Sequence, residues 1–234
     1  MPWDRRHAFL LGLTAAAGAL DALAFLHLGK VFSSFQSGNV LFVGLGIGNG
    51  NGGLVVRAGA VLVAFFLGAA VGARLIGTRL SPRGAVVELR ITAIEAGLLA
   101  LFAALWLAMG SPDDHPVARV ALLAVGATAM GIQASLSLAL KVPNVMTVAL
   151  TATVAALGQR AGIGGPTDRD DMPSTPLLVA LMGTYVAVAV AIAMLPTTPL
   201  LALIPLGLLA TGVGVDAALH HGIPRPGAAG RAVT

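Results

Sequence analysis

The sequence predicts an all-α, polytopic membrane protein with six transmembrane helices and two short broken or re-entrant segments, arranged as an inverted repeat. Three observations predict it. Of 234 residues, 57% are hydrophobic and 10% charged, against about 25% charged in an ordinary soluble domain. Apolar stretches recur from end to end, and six of the eight reach the ~20 residues that a helix rising about 1.5 Å per residue needs to cross a core roughly 30 Å thick. The basic residues stand at the ends of these stretches, where they report orientation.

The first stretch, about 8–28, opens on "MPWDRRHAFLLGLTAAAGAL", which mimics a signal peptide with Arg5 and Arg6, an apolar core and small residues. The apolar run continues past "TAAAG" to Leu28, so an uncleaved first helix is expected. Asp21 lies within it, and a carboxylate at membrane depth costs about 2.5–3.5 kcal/mol on insertion scales, so Asp21 should face the protein interior. It could bind a cation, carry a proton, or anchor a neighbouring segment.

The second stretch, 31–48, is short and begins with "SSFQSGN". Polar backbone at this depth is tolerated only where protein or water satisfies it. The expectation is a discontinuous segment in which Gly38 supplies backbone freedom and Asn39 caps a short helix over 40–48, with Gln36 and Ser37 beside it. Such a helix covers about 13 Å, so its N-terminus would sit near the midplane with unpaired N–H groups, suited to an anion or a polar solute.

The next three stretches, 54–78, 86–109 and 117–140, are long enough to span. Gly68 and Gly72, four apart, read as close helix packing. Glu95, one turn inside its stretch and near Arg90, reads either as a second proton or cation ligand or as a local pair reaching interfacial water. Gln133 lies deep in the fifth stretch. The sixth, 143–158, is short like the second and begins with "KVPNVMT", so Pro143 and Asn144 could open a matching half-helix from the other side. Thr147, Thr151 and Thr153 either line a path there or bond within their own helix. Stretches 176–195 and 199–220 complete the set, with Asp216 and His220 near the last helix end, expected at the interface.

The basic residues arbitrate between eight full crossings and six. If all eight stretches cross from a cytoplasmic N-terminus, eight basic residues lie inside and six outside, the latter being Lys30, Arg74, Arg79, Arg83, Arg90 and Lys141. If the two short segments return to the side they left, eleven lie inside and only Lys30, Arg57 and Arg119 outside. The second arrangement obeys the positive-inside rule better. It divides the chain into a first repeat at 1–116, a second at 117–221 and a flexible tail at 222–234. Three spans per half then place the halves in opposite orientations.

A weak internal similarity supports the division. "GALDALAFLHLGKVFSSFQSGNV" from Gly18 aligns with "MGIQASLSLALKVPNVMTVALTATV" from Met130, matching Asp21 to Gln133 and Ser37-Gly38-Asn39 to the neighbourhood of Thr151-Ala152-Thr153. The first of these runs, through "LFVGLGIG", resembles the opening signature of the YoaK-like family of bacterial membrane proteins of unknown function, in which a G-x-x-D-A helix precedes a glycine, "VF" and "TGN". The second run resembles that family's "GxQNA…VP…T…TGT" segment. Ser37 replaces the usual Thr, and Ala152 replaces the second glycine. The resemblance implies a multi-pass bacterial membrane protein and leaves its activity open.

Several functions are excluded. The net charge of +4 arises from scattered residues and the chain holds one Tyr, so no basic and aromatic stripe exists for nucleic acid. There is no cysteine, which removes disulfides and thiolate chemistry. "GNGNGG" follows no strand, and no histidine spacing suits a metal. No nucleophile–base constellation is present, so no enzyme, cofactor or metal is expected. The reading is a secondary transporter or exporter of a small polar or anionic solute with a midplane site. Its residues are Asp21, Gln36, Ser37, Gly38, Asn39, Gln133, Asn144, Thr147 and Thr151, with Asp21 and Glu95 as coupling groups. A passive facilitator with two opposed half-helices and a non-transporting scaffold stand as alternatives. The expected partners are the lipid bilayer and a small solute or ion, with a homo-oligomer left open. The expected location is the plasma or inner membrane, with both termini cytoplasmic.

Overall fold

Apolar residues that recur all round a helix leave it no polar face to turn to water, and such helices bury themselves in each other and in lipid. The computed structural model describes residues 5–77, 84–110, 115–140, 147, 150–163 and 174–221. They form α1 (Arg5–His27), α2 (Gln36–Gly48), α3 (Gly52–Gly77), α4 (Gly84–Met109), α5 (Pro116–Ala139), α6 (Thr151–Ile163), α7 (Thr175–Met194) and α8 (Ile204–His221). No strand occurs among the described residues. Five helices (α1, α3, α4, α5 and α7) are long and apolar enough to cross a membrane. The last apolar stretch is not one continuous helix: a 3₁₀ turn at Pro199–Leu203 leads into α8. Pro199 and Pro205 remove N–H donors there, so the α-ladder settles only beyond the turn.

The two short segments are short, but their bounds differ from the sequence reading. α2 begins at Gln36 rather than 40 and has 13 residues, about 20 Å, still less than a bilayer core. α6 begins at Thr151 and runs to Ile163, beyond the expected end at 158. Polarity alone marked Gln36–Asn39 as the break, yet the Gln36 and Asn39 side chains satisfy neighbouring backbone while the backbone of all four residues is helical. Pro143 and Asn144 lie outside the described residues, as does the tail.

Two helices form the centre. Along their most apolar stretches 72% of positions in both α1 and α5 are buried, against 22% in α3 and in α7. α1 packs on α7 and α8, α5 packs on α3 and α4, α2 lies on α3, and α6 touches α7. Leu13, Leu20, Leu23, Leu123, Met130 and Phe102 are among the fully buried side chains of the main core. Glycines allow the closest crossings. A Cβ on Gly12 would come within 2.6 Å of the Gly212 Cα where α1 crosses α8. Gly68 and Gly72 meet Thr128, Ile132 and Ser135 of α5, so the small-residue spacing in α3 does mark close packing.

Side-chain contacts fix the directions of the helices. The Arg57 Nε donates to the Gly29 carbonyl at 3.0 Å, so the end of α1 and the start of α3 lie at one end of the bundle. The chain between them, including α2, leaves that end and returns to it. Arg57 and Arg119 line one groove with Gly52, Gly53 and Pro116, which brings the starts of α3 and α5 together. α1 therefore finishes where α5 begins, and the two central helices run antiparallel. The bond from Gln133, late in α5, to Leu13, early in α1, agrees.

Candidate functional site

The first break follows α1. Gly29 has φ 106° and Lys30 φ 65°, so the chain turns sharply through two left-handed residues, the first of which tolerates that conformation because it lacks a Cβ. The turn lets the chain fold back along α1, and Ser34 arrives beside Asp21. One Asp21 carboxylate oxygen accepts the Ser34 backbone N–H at 2.6 Å. The other accepts the Ser34 hydroxyl at 2.6 Å and the Tyr185 hydroxyl of α7 at 2.7 Å. Three donors meet the hydrogen-bonding capacity of a carboxyl group that is 2% exposed, as a buried polar group requires. Asp21 thereby joins α1, the break and α7.

Asn39 completes the break from the other side. Its amide oxygen accepts the Phe32 N–H at 3.0 Å and its Nδ2 donates to the Phe32 carbonyl at 2.6 Å, so one side chain satisfies both backbone groups of a residue in the break. The same Nδ2 donates to the Gln36 Oε1, and the Gln36 Nε2 donates to the Ser33 carbonyl. Asn39 is thus a clasp within the first turns of α2, not the cap of a helix starting at 40; the N-cap position is Phe35, which makes no side-chain cap bond. Gly38 does not act through unusual backbone freedom. It lies inside the helix, where a Cβ would stand 2.7 Å from the Phe35 ring. Phe32 stacks on Phe25 and Phe42 at 5.1 and 5.8 Å between centroids, and the missing side chain leaves room for this aromatic group. Ser37 is exposed and takes no part in the cluster.

The second break follows α5 and is built on Gln133. Its Nε2 donates to the Leu13 carbonyl of α1 at 3.0 Å and to the Thr147 Oγ1 at 2.8 Å. Ser137 donates to the Gln133 carbonyl at 3.0 Å and shares a 2.6 Å contact with Thr147. A hydroxyl has one proton, so with the Ser137 proton on the carbonyl, Thr147 is the donor between the two. Among the described residues, the Gln133 Oε1 finds no hydrogen-bond partner, nor do the buried hydroxyls of Thr14 and Thr153. Thr151 is exposed, and Asn144 lies outside the described residues.

The sequence-derived residues therefore fall into two clusters rather than one site. Asp21, Gln36, Gly38 and Asn39 are assembled at the first break; Gln133 and Thr147 at the second. From Leu13 to Asp21 is about two turns of α1, ~12 Å along its axis. Glu95 belongs to neither. It is fully buried on α4, and among the described residues neither carboxyl oxygen has a hydrogen-bond partner. Sequence reasoning missed Tyr185 and Ser137. Tyr185 is the only tyrosine in the chain and sits amid "LMGTYVAVAV", a lone hydroxyl in an apolar span. Ser137 stands four residues after Gln133, on the same helix face.

Buried polar anchors, short helices between long ones and an apolar exterior define a multi-pass α-helical membrane protein. Residues 9–210 match the family described as "Protein of unknown function (DUF1275)". The chain belongs to that family. A curated relative, the "UPF0700 transmembrane protein YoaK" of Bacillus subtilis (strain 168), is 27% identical over 152 residues, 65% of this chain and 65% of the relative. The match thus spans less than two thirds of the relative's length, and it bears out the resemblance read from the two motif runs. No solved structure matches.

Proposed function

We infer that the protein is a secondary transporter or exporter of a small polar or anionic solute, working between two inverted halves in the plasma membrane. The observation that carries this reading is the matched pair of clamps on antiparallel α1 and α5. Asp21 holds a residue 13 positions further on, and Gln133 holds one 14 further on, each in the connection leading to a short helix. Transporters built from inverted repeats place their sites where discontinuous segments of the two halves meet.

The packing supports the same pairing. α1 rests on α7 and α8 as α5 rests on α3 and α4, and α2 lies on α3 as α6 touches α7. Gly18 of α1 lies against Tyr185 of α7, and Gly131 of α5 lies against Phe65 and Ala69 of α3. Lys30, Arg57 and Arg119 gather at one end of the bundle; they are the three basic residues that the positive-inside count leaves outside. Both termini are then cytoplasmic. The groove of about 460 Å³ at that end adjoins the first break, and its two arginines favour an anionic solute. The proposed role has no catalytic step.

Topology is the test, and the chain has no cysteine to remove. Single cysteines at Gly52 and Gly84, probed on intact cells with an impermeant maleimide, are expected to label at 52 and not at 84. Labelling at 84, alone or with 52, removes the inverted halves and the transport reading with them.

A further inference from the structure

Two carboxylic acids lie buried in the spans, and their surroundings differ in kind. Asp21 accepts from three donors across both oxygens, and its bonds hold a break and a neighbouring helix in place. Glu95 is 0% exposed and, among the described residues, has no donor on either oxygen. A side chain that costs so much to bury without a bond in return does nothing for the resting fold that an apolar residue of similar size would not do better.

Its place in the bundle suggests a use. Glu95 follows Ile91 by one turn and precedes Leu99 by one turn on the buried stripe of α4. Ile91 clusters with Ile132 and Leu136 of α5, and Leu99 joins the main core. α4 packs on α5, on the 3₁₀ turn and on α8, all from the other half of the chain. The carboxyl thus lies on the seam between the halves. Rocking of one half against the other would bring it to water on either side of the membrane.

We propose that Glu95, and not Asp21, is the group that takes up and releases the coupling proton. This rests on the transport reading above. With the seam closed, a carboxyl without donors is stable only as the neutral acid. With the seam open, water solvates the carboxylate and the proton leaves to that side. Asp21 cannot alternate in this way without surrendering the bonds that fix the break. The charged and titratable groups on the elements around Glu95 are Arg57 and Arg74 of α3, Arg119 of α5, and Glu88 and Arg90 of α4 itself. None of these gives either Glu95 oxygen a hydrogen bond. Asp216, His220 and His221 of α8 lie beyond the side chains described.

The sequence makes the experiment clean, because Glu88 and Glu95 are the only glutamates. The full-length protein, made with carboxyl-¹³C glutamate and reconstituted in liposomes, is studied by infrared difference spectroscopy across a series of pH steps. The expected result is a protonated-acid carbonyl band that moves with the label, bleaches as pH rises, survives in Glu88→Gln and Asp21→Asn, and vanishes in Glu95→Gln. The labelled wild-type protein can overturn the proposal by itself, and Glu88→Gln tells the two glutamates apart even if Glu95→Gln fails to fold. Absence of a labelled acid band overturns the proposal, as does a band that never bleaches while the protein stays folded, or one that disappears with Glu88→Gln. If the cysteine labels show inverted halves and no such band appears, the Glu95 assignment fails alone. If the band titrates but the halves are not inverted, the transport reading fails and Glu95 stands as an exchanging acid.

Discussion

The two breaks share a plan and differ in how firmly it is executed. At the first, the Asp21 carboxyl gathers three donors, and the Asn39 amide satisfies both backbone groups of Phe32. At the second, a neutral amide bonds Leu13 and Thr147. Among the described residues its own oxygen finds no partner, and neither do the hydroxyls of Thr14, next to Leu13, and of Thr153 in the first turn of α6. The first break is held by more bonds than the second, so it ranks as the firmer of the two.

The largest expected effect tests that ranking directly. Asp21→Ala strands the Ser34 N–H, the Ser34 hydroxyl and the Tyr185 hydroxyl in the interior, and should cost about 3–5 kcal/mol of stability. Gln133→Ala strands one carbonyl and loosens a hydroxyl pair, for about 1–3 kcal/mol. Unfolding of the purified variants in detergent checks both, and a larger loss for Gln133→Ala would reverse the ranking. Tyr185→Phe leaves Asp21 with two donors from Ser34 and should cost about 1.5–3 kcal/mol, with little further loss when combined with Asp21→Ala, because the two changes remove the same bond.

Glycine crossings sharpen the comparison at the next scale. At Gly131 an added Cβ would stand 2.7 Å from the Ala69 backbone nitrogen, whereas at Gly18 its nearest contact is the Tyr185 ring at 3.1 Å. The Tyr185 backbone also stands 3.2 Å from the Cβ position at Gly18, but the approach at Gly131 is closer and is made by backbone alone. Gly131→Ala should therefore cost more than Gly18→Ala, within the ~1–3 kcal/mol range of core overpacking. Melting in detergent measures the difference; equal losses would mean that the α1–α7 contact is as rigid as the α3–α5 contact.

The sequence made the membrane class, the long spans and the two short segments legible, because apolar length is a local property. Asp21 and Gln133 were also visible, since polar side chains in apolar runs stand out. What stayed hidden was set by contacts across the fold. Nothing near Tyr185 says that its hydroxyl will meet a carboxylate 164 positions away. The start of α2 was misjudged for a related reason. Gln36 and Asn39 look like loop residues, yet their side chains satisfy the break behind them and leave their own backbone helical. Glu95 was noticed, but only packing could separate an interfacial glutamate near Arg90 from one fully enclosed between helices.

The smallest expected effect says most about what the second break is for. Thr153 aligns near Asn39, and the two side chains meet opposite fates: Asn39 has three bonds and Thr153 none. Asn39→Ala should cost about 1–3 kcal/mol by orphaning Phe32. Thr153→Val keeps the shape and removes a buried hydroxyl that has no partner, so stability should change by no more than about 0.5 kcal/mol, or rise slightly. A substantial loss in Thr153→Val would mean that the hydroxyl is bonded in the working protein and that the second break is as saturated as the first. No loss would show that the fold does not need this hydroxyl, and that the second connection is held by Gln133, Ser137 and Thr147 without it.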